Sequence, residues 1–338
     1  MKHEYTAYGL SLRSDVEIPG LREGQRGALS APIVFTSKSK PDWARMAAQM
    51  PAKLVHSLPA APECGDPAFS VREIGGGAFY FLSYGDGTEF VVDANGERVW
   101  GNCPLPLTIE DLATYFLGPV MGFVLRRRGI TPLHASAVCL GDVAVAISGE
   151  AGAGKSTTAA ALALRGAPAI CEDIAAIAEN RGQFFVQPGY PRVCLWPDTV
   201  EKLLSNKEAL PNLTPTWDKK YLALDGGRAK FAETILPLGA VYLLGERTMD
   251  ERAPRIEDIS PREALLELVQ NTYMNALLTK EQRAAEFELL SRLVNRVPCK
   301  RLTPHRDAAK LGKLCELMEG EGRTISSGRQ TALTGRQK

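Results

Sequence analysis

The residues Gly149-Glu150-Ala151-Gly152-Ala153-Gly154-Lys155-Ser156-Thr157 fit the pattern G-x-x-x-x-G-K-[ST]. In such a loop, successive backbone amides and a helix N-terminus form an anion site for nucleotide phosphates. Lys155 adds a mobile cation for the β- and γ-phosphates, and Ser156 offers a hydroxyl to Mg²⁺. Gly149, Gly152, Ala153, Gly154, Lys155, Ser156 and Thr157 are therefore the expected nucleotide contacts, with ATP and Mg²⁺ as cofactors. Two further pieces carry chemistry. Leu133-His134-Ala135 places a histidine on an apolar segment just before the loop, and Cys171-Glu172-Asp173 places adjacent carboxylates just after it. Phosphoryl transfer needs a cation held against the phosphates and a group that positions and deprotonates the attacking hydroxyl. One acid can hold metal while the other serves as base, and His134 can orient the base or stabilise its charge. Taken singly, Glu172-Asp173 reads as a solvated turn and His134 as a core histidine; the loop between them favours a shared site.

These residues need particular elements around them. Val138 to Ser148 is an apolar, β-branched run suited to a buried strand, and Thr157 to Arg165 is an alanine- and leucine-rich helix stopped by Gly166. Ala169 to Cys171 reads as a short strand whose carboxyl end delivers the two acids to the crevice of an α/β sheet. Before this, residues 5 to 100 show short alternating runs such as Ile33-Val34-Phe35 and Glu89-Phe90-Val91-Val92-Asp93, punctuated by glycine, with one helix near Trp43 to Met50. This predicts a mainly β N-terminal domain over 1–104 with no catalytic constellation; His56 stands alone in it.

Leu107 to Arg128 has helical apolar spacing and is expected to open the second domain, 105–318, with Arg126-Arg127-Arg128 complementing the helix dipole in water. Helices are predicted over Pro261–Leu278 and Lys280–Val297. The polar, glycine-rich residues 319–338 are expected to be a disordered tail.

Composition limits the partners. The 338 residues carry a net charge of +1, which gives no reason to expect nucleic acid or an anionic membrane. The longest apolar runs fall short of a membrane span, and the N-terminus lacks the apolar core of a secretory signal, so a cytoplasmic protein is expected. The seven cysteines form no C-x-x-C pair, which suggests neither a disulfide framework nor a zinc site.

The order Leu133-His134, Gly149 to Thr157, Arg165-Gly166, Cys171-Glu172-Asp173 resembles the catalytic half of the HPr serine kinase/phosphorylase family over roughly residues 131–180. The resemblance implies an α/β P-loop kinase domain, a mixed sheet with helices similar to the HPr kinase C-terminal domain, preceded by the mainly β domain. It implies that Lys155 binds phosphates, Ser156 and Asp173 bind Mg²⁺, Glu172 is the catalytic acid/base and His134 assists. Members of that family are oligomers, which leaves a homo-oligomer open. Two departures stand out: Glu172 occupies a position where the family usually has Asp, and the family's later E-I-R-G-L-G signature is absent, so neither phosphorolysis nor HPr as substrate is implied.

In that later region, Gln187 to Asp198 and Trp217-Asp218-Lys219-Lys220-Tyr221 are similar to divergent HPr-kinase-like proteins of peptide-modification pathways, including kinases of lasso-peptide precursors. The expected partner is a peptide or protein with an acceptor hydroxyl. A small-molecule hydroxyl kinase and a non-catalytic nucleotide-binding regulatory module are the competing readings. The proline-rich aromatic stretch 187–198 suits either a peptide-binding loop or a packed one. Arg192, Lys219, Arg228 and Lys230 are candidates for the additional cation that this chemistry recruits. Their order of merit, and the choice of Glu172 or Asp173 as base, stay open at this level.

Overall fold

A computed structural model describes residues 1–24, 31–60, 67–204 and 210–335, with side chains through 327 apart from that of residue 60. The chain forms two compact units. One comprises Met1–Ile130, Leu213–Trp217 and Met274–Thr279; the other comprises Thr131–Asn212, Asp218–Tyr273 and Lys280–Lys338.

The first unit is a single eight-stranded sheet. Its strands are β1 (His3–Ala7), β2 (Leu10–Ser14), β3 (Ile33–Thr36), β4 (Ala52–Ala60), β5 (Pro67–Ile74), β6 (Phe79–Tyr84), β7 (Glu89–Asp93) and β8 (Arg98–Asn102). They lie in the order β1-β2-β3-β8-β7-β6-β5-β4. Helix α1 (Asp42–Ala47) buries Ala44 and Ala47 in a cluster with Phe79, Val91 and Trp100. The lone His56 stands against the Phe69 ring, 6.0 Å between centroids.

The helical stretch expected to open the second domain belongs to the first unit instead. It is split into α2 (Ile109–Tyr115) and α3 (Met121–Arg127) by a wide turn over Phe116–Val120. Pro119 removes a helical amide donor and Gly118 departs from helical angles there. Its apolar stripe packs on this sheet: Phe116 stacks on Phe35 at 4.2 Å and Phe123 meets Tyr80 at 5.1 Å. The arginines do not simply face water. Arg126 is buried, Arg127 donates to the Ala94 carbonyl (2.7 Å) while lying over Tyr80, and Arg128 donates to the carbonyls of Gly96 and Ala31.

The second unit is a mixed sheet with helices on both faces. Its elements are β9 (Thr131–Leu140), β10 (Val143–Ser148), α4 (Lys155–Leu164), β11 (Ala169–Cys171), β12 (Ile174–Asn180), β13 (Gln183–Gln187), β14 (Arg192–Leu195), α5 (Pro197–Leu203), β15 (Lys220–Ala223), β16 (Leu236–Leu244), β17 (Arg255–Asp258), α6 (Pro261–Gln270), α7 (Lys280–Val294), β18 (Cys299–Thr303) and α8 (Leu311–Gly335). Strands β10, β16 and β18 run parallel, while β9 pairs antiparallel with β10, β11 and β12.

Period-2 alternation sorts the side chains between two cores. Val143, Val145 and Ile147 face Leu162, Leu314 and Met318 of α4 and α8. Ala144 and Ala146 face the other way, towards Ala264, Leu268, Leu290 and Leu293 of α6 and α7. The run Val143–Ser148 is buried throughout, as a strand covered on both faces must be.

Helix boundaries also differ from expectation, and α7, expected to reach Val297, ends at Val294. The predicted helix over Pro261–Leu278 stops at Gln270, because Asn271 leaves helical angles and Met274 is left-handed. Where a disordered tail was expected from residue 319, α8 continues to Gly335. The glycines that suggested disorder let this helix approach closely: a Cβ on Gly322 would lie 2.5 Å from Leu140 Cβ. Among the described residues, no helix is long and apolar enough to cross a membrane. Cys64 lies outside the described residues, and the other cysteines are free thiols.

Candidate functional site

The glycine loop joins β10 to α4, in the order strand, loop, helix. Gly152 (φ +78°) and Gly154 (φ +112°) hold left-handed conformations that side chains resist. At Gly154 there is a second restriction, since a Cβ would sit 2.9 Å from a terminal nitrogen of Arg247. Gly154 is the N-cap of α4, so the first-turn amides, which have no partner within the helix, open towards the loop. Lys155 is buried and folds back over the loop, its Nζ donating to the carbonyls of Gly149 (2.8 Å) and Glu150 (2.9 Å). Burial lowers its pKa, and the nearby Asp173 and Glu172 oppose that shift.

Consecutive strand residues point to opposite faces, yet Glu172 and Asp173 reach one site. The backbone at Asp173 is left-handed (φ +65°), and the amide of Ile174 returns to the Glu172 carbonyl at 2.7 Å, closing a tight turn between β11 and β12. Glu172 Oε1 accepts from the Ser156 hydroxyl at 2.8 Å. Asp173 is held elsewhere: His134 Nε2 lies 3.1 Å from Oδ1 and the Tyr273 hydroxyl donates to Oδ2 at 3.0 Å. The β9–β12 register sets His134 opposite Ile174, which brings a distant residue to the acid pair. His134 is fixed in turn by its amide on the Asn271 carbonyl (2.9 Å) and by the edge of the Tyr273 ring at 5.6 Å.

The two acids are pushed apart electrostatically. Burial, reinforced by Asp173, pushes the Glu172 pKa up to about 7, against the pull of Lys219, Ser156 and His134. Burial acts on Asp173 in the same direction, but the hydrogen bond and charge of His134, with the Tyr273 hydroxyl, outweigh it and leave Asp173 below the ordinary carboxylate value. One carboxyl can therefore take up a proton near neutrality while its neighbour stays ionised.

These groups open into a cavity of about 480 Å³. Its walls include His134, Gly152 to Thr157, Glu172, Asp173 and, of the four candidate cations, Lys219. Gly149 stands behind the wall, where a Cβ would meet Leu244 at 3.1 Å. Arg192 is stacked over the Tyr221 ring at 4.2 Å, and Arg192, Arg228 and Lys230 are not among the cavity walls. The Lys219 ammonium lies 5.5 Å from the centroid of the Trp196 ring. Burial alone would lower its pKa, but Glu172, Cys194 and Asp173 raise it, so it is a firm cation.

Within the proline-rich aromatic stretch, Val193, Cys194 and Leu195 are packed while Trp196 is 57% exposed on the cavity wall. Burial pushes the Cys194 thiol up and makes it a poor nucleophile. Among the described residues no cluster of three or more His, Cys, Asp and Glu can hold a metal by itself. A cation would need the Ser156 hydroxyl, the acid pair and oxygens brought by a ligand.

Three residues that sequence reasoning missed complete the site. Tyr273 fell inside the segment expected to be helical, Pro261–Leu278, although Asn271 just before it is a recognisable helix stop. Arg247 and His305 follow the carboxyl ends of β16 and β18, where an α/β sheet presents ligand contacts.

No protein-family model matches the chain, and no curated protein matches it. Among solved structures, it is similar to the HPr(Ser) kinase/phosphatase from Coxiella burnetii at 16% identity, covering 60% of this chain and 98% of that chain with a TM-score of 0.29.

Proposed function

We propose that this protein is an ATP- and Mg²⁺-dependent kinase that phosphorylates a serine-type hydroxyl on a peptide or protein. The observation that carries the reading is the division of labour between adjacent carboxylates beside a glycine loop: Glu172 on Ser156, Asp173 on His134 and Tyr273.

The residues fit both cofactors. The loop glycines and Lys155 suit a triphosphate, and Ser156, Glu172 and Asp173 supply the hard oxygens that Mg²⁺ prefers. When bound, Mg²⁺ neutralises charge on the β- and γ-phosphates. Ser156 and Asp173 would hold it, because Asp173 remains ionised. Lys155 releases the loop carbonyls and pairs with the phosphates, and Lys219 adds positive charge on the acid side of the cavity. Glu172 accepts the proton of the attacking hydroxyl as its oxygen bonds to the γ-phosphorus. The bond to the β–γ bridging oxygen breaks and ADP leaves. His134 and Tyr273 keep Asp173 oriented while this happens.

The exposed Trp196 ring beside Lys219 offers a flat apolar and cationic surface at the acceptor side, which suits a peptide. Mass spectrometry of serine-containing peptides incubated with ATP and Mg²⁺ tests the reading. Phosphopeptide from the wild type, and none with Glu172→Gln or Asp173→Asn although both still bind ATP, is expected. Phosphate appearing only on small metabolites would move the assignment to a small-molecule kinase, and undiminished function in both variants would make the protein a nucleotide-binding module.

A further inference from the structure

Resting on the reading of this cavity as a nucleotide site, the geometry points to its wall at the carboxyl ends of β16 and β18 as the subsite for the nucleoside of the donor, with His305 and Arg247 as its recognising side chains.

That wall is built rather than incidental. The segments after the two parallel strands are laced by backbone hydrogen bonds: Gly245 to the Leu302 carbonyl (2.9 Å), Thr248 to the Pro304 carbonyl (3.1 Å) and Arg306 to the Thr248 carbonyl (2.9 Å). Both strands run parallel to β10, so both segments emerge at the edge where the glycine loop begins.

His305 supplies an independent observation. Its side chain is only 9% exposed and lines the cavity. The Asp307 amide donates to His305 Nδ1 at 2.9 Å, so Nδ1 carries a lone pair and the ring proton resides on Nε2. That Nε2 is shielded from solvent and has no hydrogen-bond partner. A buried donor left unpaired is costly, and a small rotation of the ring into the cavity would set Nε2 against the acceptors that a nucleoside presents on its ring nitrogens and ribose oxygens.

Arg247 is placed to act with it. Its guanidinium lies against Gly154 and makes one long contact, 3.5 Å, with the Ala153 carbonyl. A planar cation at this place can cover the face of a base whose phosphates lie in the adjacent loop. Apolar surface for the base comes from the half-buried Leu311, which lines the same cavity. Trp196 also offers an aromatic face to the cavity, but it lies with Lys219, whose charge acts on the carboxylates that must receive the acceptor hydroxyl.

Calorimetric titration of the full chain with Mg²⁺ and either ATP or inorganic triphosphate tests the assignment. The wild type should bind ATP more tightly than triphosphate. His305→Phe should weaken ATP about tenfold, the effect of one hydrogen bond, and leave triphosphate unchanged. His305→Gln, which returns an N–H near the Nε2 position, should recover most of the loss. Arg247→Ala, a change at an exposed residue, should also reduce the preference for ATP. Equal weakening of both ligands by His305→Phe, or loss of the ATP preference in Trp196→Ala with none in the His305 and Arg247 variants, would overturn the subsite. A wild type that binds neither ligand would instead overturn the nucleotide reading itself.

Discussion

Two parts of the cavity wall, an acid end and a far end, are built on different principles. At the acid end, hydrogen bonds from Ser156, His134 and Tyr273, the charge of Lys219 and a left-handed turn set the charge of Glu172 and Asp173. At the other end, around Arg247 and His305, the backbone does the organising and the side chains lie on a laced wall. The difference separates two tasks. Chemistry needs titratable groups whose pKa values are held apart, whereas recognition needs fixed donors and surfaces. Substitutions at the acid end should therefore affect turnover, and those at the far end should affect affinity.

The largest expected effect tests that division directly. Glu172→Gln should reduce phosphoryl transfer by roughly 10²–10⁴-fold, the range for loss of a general base, with ATP affinity nearly intact. His305→Phe should do the reverse, weakening ATP while preserving turnover at saturation. Steady-state kinetics alongside direct binding measures both; a common pattern for the two variants would erase the distinction. Next in size, Tyr273→Phe removes the hydroxyl from Asp173 and should lower kcat about tenfold with little change in KM for ATP.

The acid end should also leave a mark on stability. Because the folded chain retains a proton on Glu172 up to about pH 7, where a solvated glutamate has already ionised, ionisation of Glu172 is penalised in the native state. Stability should fall as pH rises from the ordinary carboxyl range towards 7, by at most about 1.4 kcal/mol per pH unit for one proton. Asp173 has the opposite sign, and its contribution is lost only as pH falls below the ordinary aspartate value. Denaturant unfolding across pH should show the neutral-side slope flattened in Glu172→Gln. The smallest effect lies outside the cavity. Gly322→Ala would ordinarily stabilise a helix, but its Cβ would sit 2.5 Å from Leu140 Cβ. Overpacking should win, with a net loss of about 1 kcal/mol in thermal or denaturant unfolding.

The acid end was far more legible in sequence than the other. Lys155, Ser156, Glu172 and Asp173 announce themselves because glycine spacing and adjacent carboxylates are local patterns, and they and His134 do converge. Strand β10 was legible in part: the apolar run Val138–Ser148 contains it, but Gly141 and Asp142 form the turn that divides it from the end of β9. The far end depends on which strands become parallel neighbours, and no short stretch of sequence encodes that pairing of β16 with β10 and β18. Tyr273 was hidden inside a helix expected to run on to Leu278, past the stop at Asn271. The helix over Leu107–Arg128 was visible, but its allegiance was set by Phe35 and Tyr80, far away in the chain. The glycines of α8 misled because their role is close packing against Leu140, which the composition of the segment does not reveal.

The most direct test of the central claim needs no acceptor in hand, because water can replace the hydroxyl. Slow ATP turnover by the purified chain with Mg²⁺ should be measured for the wild type, Glu172→Gln and Asp173→Asn, with nucleotide binding followed in parallel. The account predicts measurable ADP release from the wild type and its loss in both variants while ATP still binds. Turnover unchanged by either substitution, or a wild type that does not bind ATP, would contradict it.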